Sequence, residues 1–183
     1  MSQYRRLFVP GGTYFFTQVT HQRYPWLCKK LARQTLRQAI KRVQTKYPFT
    51  IDAFVLLPDH FHCLWTLPPG DRDFTTRMRL IKTFVTKRCS QQLNLPTSIS
   101  NSRTKRKESN LWQRRFWEHL IRDESDFNRH CDYIHYNPVK HGLCSSAKDW
   151  QYSSFHRFVA AGIYPLDWGV RETTNFLSDV DRE

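Results

Sequence analysis

Acidic side chains are scarce in this chain and are absent from its beginning. The 16 Asp and Glu residues are outnumbered by 29 Lys and Arg residues, which gives a formal net charge of +13 and a pI of about 9.9. No acid precedes Asp52, whereas ten basic residues do. A basic excess of this size favours a polyanionic partner, because phosphates release their counterions when lysine and arginine bind them. Nonspecific adhesion to polyanions, as in a ribosome-like protein, is the alternative.

Paired cysteines and long apolar runs are also missing. The cysteines are odd in number and form no C-x-x-C pair, so they indicate reduced thiols that mostly pack in the core. No stretch approaches the ~18 apolar residues of a membrane span, and the N-terminus has no apolar signal region. We therefore expect a soluble cytoplasmic protein of one domain with a two-layer core. The five cysteines are Cys28, Cys63, Cys89, Cys131 and Cys144.

Strand and helix patterns alternate along the chain. Runs of β-branched and aromatic residues indicate strands, and apolar stripes at helical spacing indicate helices. Asp73 is a candidate cap for the second helix. Pro138 should end the third helix, because the residue before a proline disfavours helical backbone. The predicted strands cover 13–20, 49–57, 60–67 and 116–121, and the predicted helices cover 27–46, 74–93, 124–136 and 150–160.

This order of elements, βαββαβα, predicts an α+β fold. One split β-α-β unit followed by another gives a ferredoxin-like antiparallel sheet with its helices on one face and its first and third strands in the centre. The folded domain is predicted to cover 1–160. Segment 96–110 is rich in Ser, Thr and basic residues and is expected to be a mobile loop, and 161–183 is expected to be a C-terminal tail.

Two short segments contain residues suited to metal and phosphate chemistry. His60 and His62 are two apart and share a face on a strand, and Tyr133 and Asn137 are four apart and share a face on a helix. Two imidazoles and an amide oxygen suit a divalent metal and leave coordination positions open for a phosphate oxygen. A phenol beside such a metal is a candidate nucleophile towards a phosphodiester. A structural or surface histidine pair is the alternative.

The nucleophile itself has two candidates. A free phenol has a pKa of about 10 and is therefore weak at neutral pH, unless a metal polarises the phosphate that it attacks. Tyr133 is favoured because Asn137 lies one helical turn after it on the same face, whereas Tyr136 points elsewhere. The alternative for Tyr133 is a tyrosine that only packs its helix against the sheet.

Four motifs in combination give the chain a family resemblance. They are LPDHFH at 57–62, WQRRFWEH at 112–119, YIHYNPVKHGL at 133–143 and W-x-Y-S-S-F at 150–155. Over roughly residues 12–158 the chain resembles the bacterial REP-associated tyrosine transposases. These are domesticated relatives of the single-tyrosine insertion-sequence transposases, within the HUH nuclease superfamily.

The resemblance implies a site, a reaction and a substrate. It implies His60, His62 and Asn137 as ligands of Mg²⁺ or Mn²⁺, and Tyr133 as the nucleophile. It also implies cleavage of single-stranded DNA that leaves a 5′-phosphotyrosine and a free 3′-hydroxyl. The implied substrates are short imperfect-palindrome hairpins flanked by a conserved tetranucleotide, and a bacterial, nucleoid-associated location follows from them.

Basic and aromatic residues elsewhere are candidates for contacts with DNA, with solvation and core packing as the alternatives. The basic stripe on the first helix stands out because that helix contains no acid. His119 is alternatively a partner of a metal ligand. The candidate base-stacking residues are Trp112, Trp117, Trp150 and Tyr152. The candidate phosphate-binding residues are Arg33, Arg37, Lys41, Arg103, Lys105, Arg106, Lys107, Arg114, Arg115, His119 and Lys140.

Two other functions compete with a DNA transesterase. A non-catalytic binder of structured nucleic acid, such as a repressor, fits a basic ferredoxin-like fold. A metal-dependent hydrolase that uses water predicts free 5′-phosphates and no protein–DNA adduct. The transposon relatives implied by the resemblance form dimers that exchange the tyrosine helix. The extra C-terminal sequence favours a monomer here, with the helix acting on its own sheet.

Overall fold

The structure is a computed structural model that describes residues 6–93, 103, 105 and 109–169. Much of the predicted loop at 96–110 therefore lies outside the described residues, including Arg106 and Lys107. Arg103 and Lys105 are described and have helical backbone. Residues 170–183 of the predicted tail also lie outside the described part of the chain.

Four antiparallel strands form one sheet in the order β2-β3-β1-β4, which confirms the ferredoxin-like α+β prediction and the central positions of the first and third strands. The strands are β1 (Thr13–Val19), β2 (Thr50–Leu56), β3 (His60–Thr66) and β4 (Trp117–Leu120). The helices are α1 (Lys30–Lys46), α2 (Phe74–Cys89), α3 (Glu124–Lys140) and α4 (Phe155–Ala160).

Helices cover both faces of this sheet, so the prediction that they share one face is wrong. Residues of α1 and α2 pack on one face in a core that includes Phe61 and Trp65, whereas α3 packs on the other face over Phe15 and Leu64. The reason lies in the strands themselves. Six of the seven residues of β1 and of β3 are buried, which requires cover on both sides.

The end of α3 also differs from the prediction. The helix continues through Pro138 to Lys140, although proline disfavours helical backbone in the residue before it and has no N–H to donate. Asn137 and Pro138 are both buried, and tertiary packing therefore outweighs the local preference. The N–H of His141 closes the helix on the carbonyl of Asn137 at 3.0 Å.

The remaining helix ends follow from specific contacts. Asp73 caps α2 as predicted, because its side chain accepts a hydrogen bond from the N–H of Thr76. The last helix begins only at Phe155, since Tyr152 and Ser154 pair with the edge strand β2 through Leu56 and Phe54. None of the helices in the described part of the chain combines the length and hydropathy that a bilayer span requires.

Candidate active site

The floor of the candidate site is a row of side chains across three neighbouring strands. Thr17 on the central strand β1 pairs with His62 on β3 and with Trp117 on β4. The next pair along, Val19 and His60, extends the row towards the end of the strand. Directly paired residues point to the same face of a sheet, and so these five side chains share the face that α3 covers.

The two histidines are fixed by hydrogen bonds through the same ring nitrogen. His60 Nδ1 lies 2.6 Å from an Asp59 carboxylate oxygen, and His62 Nδ1 lies 2.8 Å from the Thr17 hydroxyl. The two ring centroids are 4.8 Å apart, and both side chains are buried. Partners at Nδ1 leave Nε2 as the ligand atom, which is the usual arrangement of a metal-binding histidine.

Electrostatics favour a neutral His62 and an ionised Asp59. Burial, followed by electrostatic repulsion from neighbouring basic side chains, lowers the pKa of His62 well below its usual range. Burial opposes ionisation of Asp59, but its bonds to His60 and Arg23 outweigh that effect and lower its pKa to about 2. A neutral imidazole binds metals, and a carboxylate behind an imidazole strengthens it as a ligand.

Unpartnered polar atoms indicate what the site is built to hold. His62 Nε2 and both amide atoms of Asn137 are buried and have no hydrogen-bond partner among the residues that the structure describes. A buried polar atom without a partner costs about 1–3 kcal/mol, which a ligand would offset. An amide oxygen suits Mg²⁺ and Mn²⁺, and a neutral imidazole is a common ligand of divalent metals, so these residues fit a divalent cation.

Tyr133 faces the histidines from α3. Its ring centroid lies 5.2 Å from that of His62 and 5.9 Å from that of Phe15, and the Nζ of Lys140 lies 5.1 Å from the ring centroid. Tyr136 is equally buried but packs against Trp168, at a centroid distance of 6.5 Å. Of the two candidate nucleophiles, only Tyr133 lines the pocket that contains the histidines.

That pocket is open, has a volume of about 1100 Å³ and is lined by basic side chains. Its arginine and lysine residues come from five separate parts of the chain. Three of them, Arg114, Arg115 and Lys140, are among the predicted DNA contacts. The sequence pattern did not indicate the other three, Arg6, Arg23 and Arg79. Arg6 and Arg23 do belong to the acid-free beginning of the chain, which was the only signal available for them.

A smaller groove of about 620 Å³ continues from this pocket along α2. The two share Arg79, Gln113, Arg114 and Phe116. Its further basic residues are Lys82, Lys87 and Arg103.

Other predicted DNA contacts lie elsewhere or have structural partners. Arg33 stacks over the Tyr152 ring at 4.4 Å and donates to the Cys28 carbonyl. Arg37 and Lys41 are exposed on α1, on the opposite face of the sheet from the histidines. Arg103 donates to the carbonyls of Ser109 and Trp112 as well as lining the smaller groove. Lys105 is exposed.

His119, which is partly exposed, belongs to a network that joins β4 to α3 through buried partners. Its Nε2 lies 2.8 Å from an oxygen of Asp126, and its ring stacks on His130. Burial opposes ionisation of Asp126, but bonds from His119 and Arg122 outweigh it and lower the pKa of the carboxyl. The three side chains form a second set of possible metal ligands. Protein donors already satisfy the Asp126 carboxylate, so the set is first a structural network.

The fold and the site together define a class of protein. A ferredoxin-like sheet with paired histidines on a central strand, faced by a tyrosine helix, is the arrangement of the HUH single-tyrosine nucleases that the sequence resembles. Comparison with known proteins narrows this class to a family. The family model described as "Transposase IS200 like" matches residues 9–137, and the chain belongs to this family of transposases.

Close relatives match nearly the whole chain. This chain is 46% identical over 176 residues to the REP-associated tyrosine transposase of Escherichia coli. The alignment covers 96% of this chain and 95% of the relative. The chain is 44% identical over 180 residues to a protein of Haemophilus influenzae with the same designation, marked there as putative, with 98% and 100% coverage. A solved structure of a REP-associated tyrosine transposase bound to a REP hairpin has a TM-score of 0.79 and 44% identity, covering 95% of this chain and 96% of that one.

Proposed function

We propose that the protein cleaves and rejoins single-stranded DNA at hairpin sequences, with Tyr133 as the nucleophile. One observation supports this most directly. The Tyr133 ring lies against His62 inside a pocket lined by basic side chains. A phosphodiester transesterase needs a nucleophile, ligands for a metal and a surface that binds phosphate. Here these are the phenol, the two candidate ligand atoms without hydrogen-bond partners and the basic side chains of the pocket.

In this proposal His60, His62 and Asn137 hold Mg²⁺ or Mn²⁺. The cation supplies Lewis-acid polarisation of the scissile phosphate when it is bound. Asp59 and Thr17 keep the two Nε2 atoms aimed at the site through their hydrogen bonds to Nδ1. Asn137 is fully buried on α3 and fixes its amide relative to Tyr133, one turn away on the same helix face.

The reaction exchanges one phosphoester for another. The Tyr133 oxygen attacks phosphorus, the bond from phosphorus to the 3′-oxygen breaks, and the leaving strand takes up a proton as a free 3′-hydroxyl. The phenolic proton is lost to solvent or to a neighbouring base. The ammonium group of Lys140, beside the Tyr133 ring, stabilises the negative charge that develops. Rejoining reverses these steps with a 3′-hydroxyl as the nucleophile, and so it needs no ATP.

The substrate is expected to be a hairpin with a single-stranded flank. The solved relative is described as bound to a REP hairpin, which supports the same class of DNA here. The catalytic pocket is suited to the strand that is cut. The smaller groove along α2 is suited to the continuation of that strand, because Arg79 and Arg114 belong to both cavities. Such a substrate places the protein in the cytoplasm with chromosomal DNA.

We also propose that the protein acts as a monomer with α3 on its own sheet. The C-terminal segment supports this arrangement by packing against α3 away from the pocket. The Tyr164 hydroxyl donates to Asp132 at 2.6 Å, and Trp168 contacts Tyr136. Light scattering after size-exclusion chromatography is expected to give the mass of one chain, about 22 kDa. A stable dimer would contradict the monomer but not the chemistry.

The direct test mixes the protein with end-labelled hairpin oligonucleotides taken from sequence beside its gene, with manganese or with EDTA. Denaturing gels should show a protease-sensitive protein–DNA adduct that requires the metal, is absent with Tyr133→Phe and remains with Tyr136→Phe. Cleavage without an adduct would instead indicate a hydrolase that uses water. Tight binding with neither product would indicate a non-catalytic binder.

A further inference from the structure

One aromatic side chain in the catalytic pocket is unusually exposed for its size. The Trp117 side chain is 37% exposed, although most large aromatic residues of the described chain are buried. Of the exposed large hydrophobic residues in that part of the chain, Trp117 alone lines the catalytic pocket. An indole face left open beside a reactive centre is available to a flat, apolar ligand group.

The register of the sheet gives the position of Trp117 relative to the chemistry. Thr17 pairs with both His62 and Trp117, which puts the two side chains on the same face with one strand between them. With strands spaced ~4.8 Å apart, their Cα atoms are separated by about 10 Å. The Phe15 ring touches Trp117, Tyr133 and His62 in turn, at centroid distances of 5.7, 5.9 and 5.4 Å. The indole and the candidate nucleophile Tyr133 therefore lie on either side of the same Phe15 ring.

The indole is also held in place before any ligand arrives. Its plane lies within 4° of the His119 ring plane, at a centroid distance of 6.0 Å. His119 is in turn bonded to Asp126 and stacked on His130 at 4.7 Å. This network fixes the strand that presents the indole. A prepositioned ring loses little conformational entropy when a ligand stacks on it.

The surroundings of Trp117 select the kind of ligand. Arg114 and Arg115 precede it in the chain and line the same pocket, as does Arg6. An aromatic ring surrounded by positive charge can stack on a nucleobase while the basic groups bind the phosphate backbone. Binding sites for single-stranded nucleic acids combine these two features. An apolar peptide would offer no negative charge to this basic pocket. A base inside a duplex would not expose its face.

We propose that Trp117 stacks on one unpaired base adjacent to the scissile phosphate. This inference rests on the proposed function and adds a requirement to it. The nucleotide next to the cut must be unstacked from its neighbours, and its base must lie flat on the indole. Trp117 thereby positions the phosphate for Tyr133 and gives the pocket its preference for single-stranded DNA.

The test combines an abasic scan of the substrate with substitution of Trp117. A single abasic nucleotide is placed in turn at each position flanking the cut, and kcat/KM for adduct formation is measured. With the wild-type protein, one position next to the cut should lower kcat/KM about tenfold, since one stacking interaction is lost. Trp117→Ala should lower kcat/KM on the intact strand by a similar factor. The abasic nucleotide should then cause no further loss.

Matched variants separate stacking from general damage to the fold. Trp117→Phe should restore most of the rate and the abasic sensitivity, whereas Trp117→Leu should restore neither. Tyr47→Ala, which removes a half-buried aromatic outside the pocket, should leave the abasic profile unchanged. Additive losses from Trp117→Ala and the abasic nucleotide would overturn the stacking proposal. Absence of any adduct with wild-type protein would instead overturn the proposed function, and so the two failures are distinguishable.

Discussion

The two faces of the central strand β3 differ in what they bury. Phe61, Cys63 and Trp65 point into an apolar core beneath α1 and α2. His60 and His62 point the other way, towards α3, where the Tyr133 ring lies 5.2 Å from that of His62. Both faces are almost fully buried, so burial does not distinguish them. The difference is that, in the described part of the chain, the α3 face leaves the candidate metal-ligand atoms His62 Nε2 and Asn137 Oδ1 without hydrogen-bond partners. We therefore expect the apolar face of the strand to serve stability and the α3 face to serve the proposed chemistry.

The same contrast applies to positive charge. The exposed arginine and lysine side chains of α1 form the more regular stripe in the sequence, but α1 packs on the face opposite the histidines. The cations that line the pocket around the two histidines come from scattered positions on other elements. We therefore predict the DNA-binding surface from proximity to the unpartnered candidate ligand atoms, rather than from the density of charge along the chain.

The largest effect should come from the nucleophile. Tyr133→Phe removes only the hydroxyl and should lower the rate of DNA cleavage roughly 10⁴-fold or more, as loss of a nucleophile does in other covalent enzymes. Single-turnover cleavage of a labelled hairpin measures this rate. Tyr136→Phe serves as the control because Tyr136 is equally buried but packs against Trp168. Equal activity of the two variants would contradict the assignment.

Substitutions on opposite faces of β3 should separate chemistry from stability. His62→Ala should lower metal-dependent cleavage more than about 100-fold, since it removes a ligand rather than a ligand's partner. Trp65→Ala should instead lower the free energy of unfolding by about 3–5 kcal/mol. Urea denaturation and isothermal titration with Mn²⁺ measure the two effects. Loss of Mn²⁺ affinity in a folded Trp65→Ala protein would contradict this division.

Acid should destabilise the α3 face through Asp126. The pKa of this carboxyl is lowered in the folded protein, so the unfolded chain binds the proton more readily. The stabilisation is therefore present above the unfolded pKa of about 4 and is lost as pH falls through the lower folded value. Asp126→Asn should lower the free energy of unfolding by about 1–3 kcal/mol at neutral pH. Below pH ~4 the free energy of unfolding of this variant should fall less steeply with pH than that of the wild-type protein. Thermal melting across pH measures both, and an unchanged acid profile would count against this role.

The smallest effect should distinguish the two basic surfaces. Arg115 lines the pocket. Arg115→Ala should reduce the slope of log binding constant against log salt concentration by about 0.7–1, which is the contribution of one phosphate contact. Arg37→Ala removes an equally exposed charge from α1 and should leave that slope unchanged. Fluorescence anisotropy at several salt concentrations measures the slopes. Equal slopes for the two variants would mean that α1 also contacts DNA.

Local periodicity predicted the fold and which candidate site residues share a face of their strand or helix. A spacing of two on a strand and of four on a helix was enough to pair His60 with His62 and Tyr133 with Asn137, and the strand order is confirmed. Tertiary packing determined two features that local periodicity did not predict. Pro138 is buried, and α3 continues through it beyond the predicted end of the helix. The central strands are apolar on both faces, and α3 packs against the second face. Arg6, Arg23 and Arg79 meet only in three dimensions, so no local pattern marked them.

The most direct test of the account is to identify the residue that carries DNA. The covalent adduct formed with a hairpin substrate and Mn²⁺ would be digested with nuclease and protease, and the modified peptide sequenced by mass spectrometry. The account predicts a nucleotide attached through its 5′-phosphate to the oxygen of Tyr133. Attachment to Tyr136 or to any other residue would contradict it.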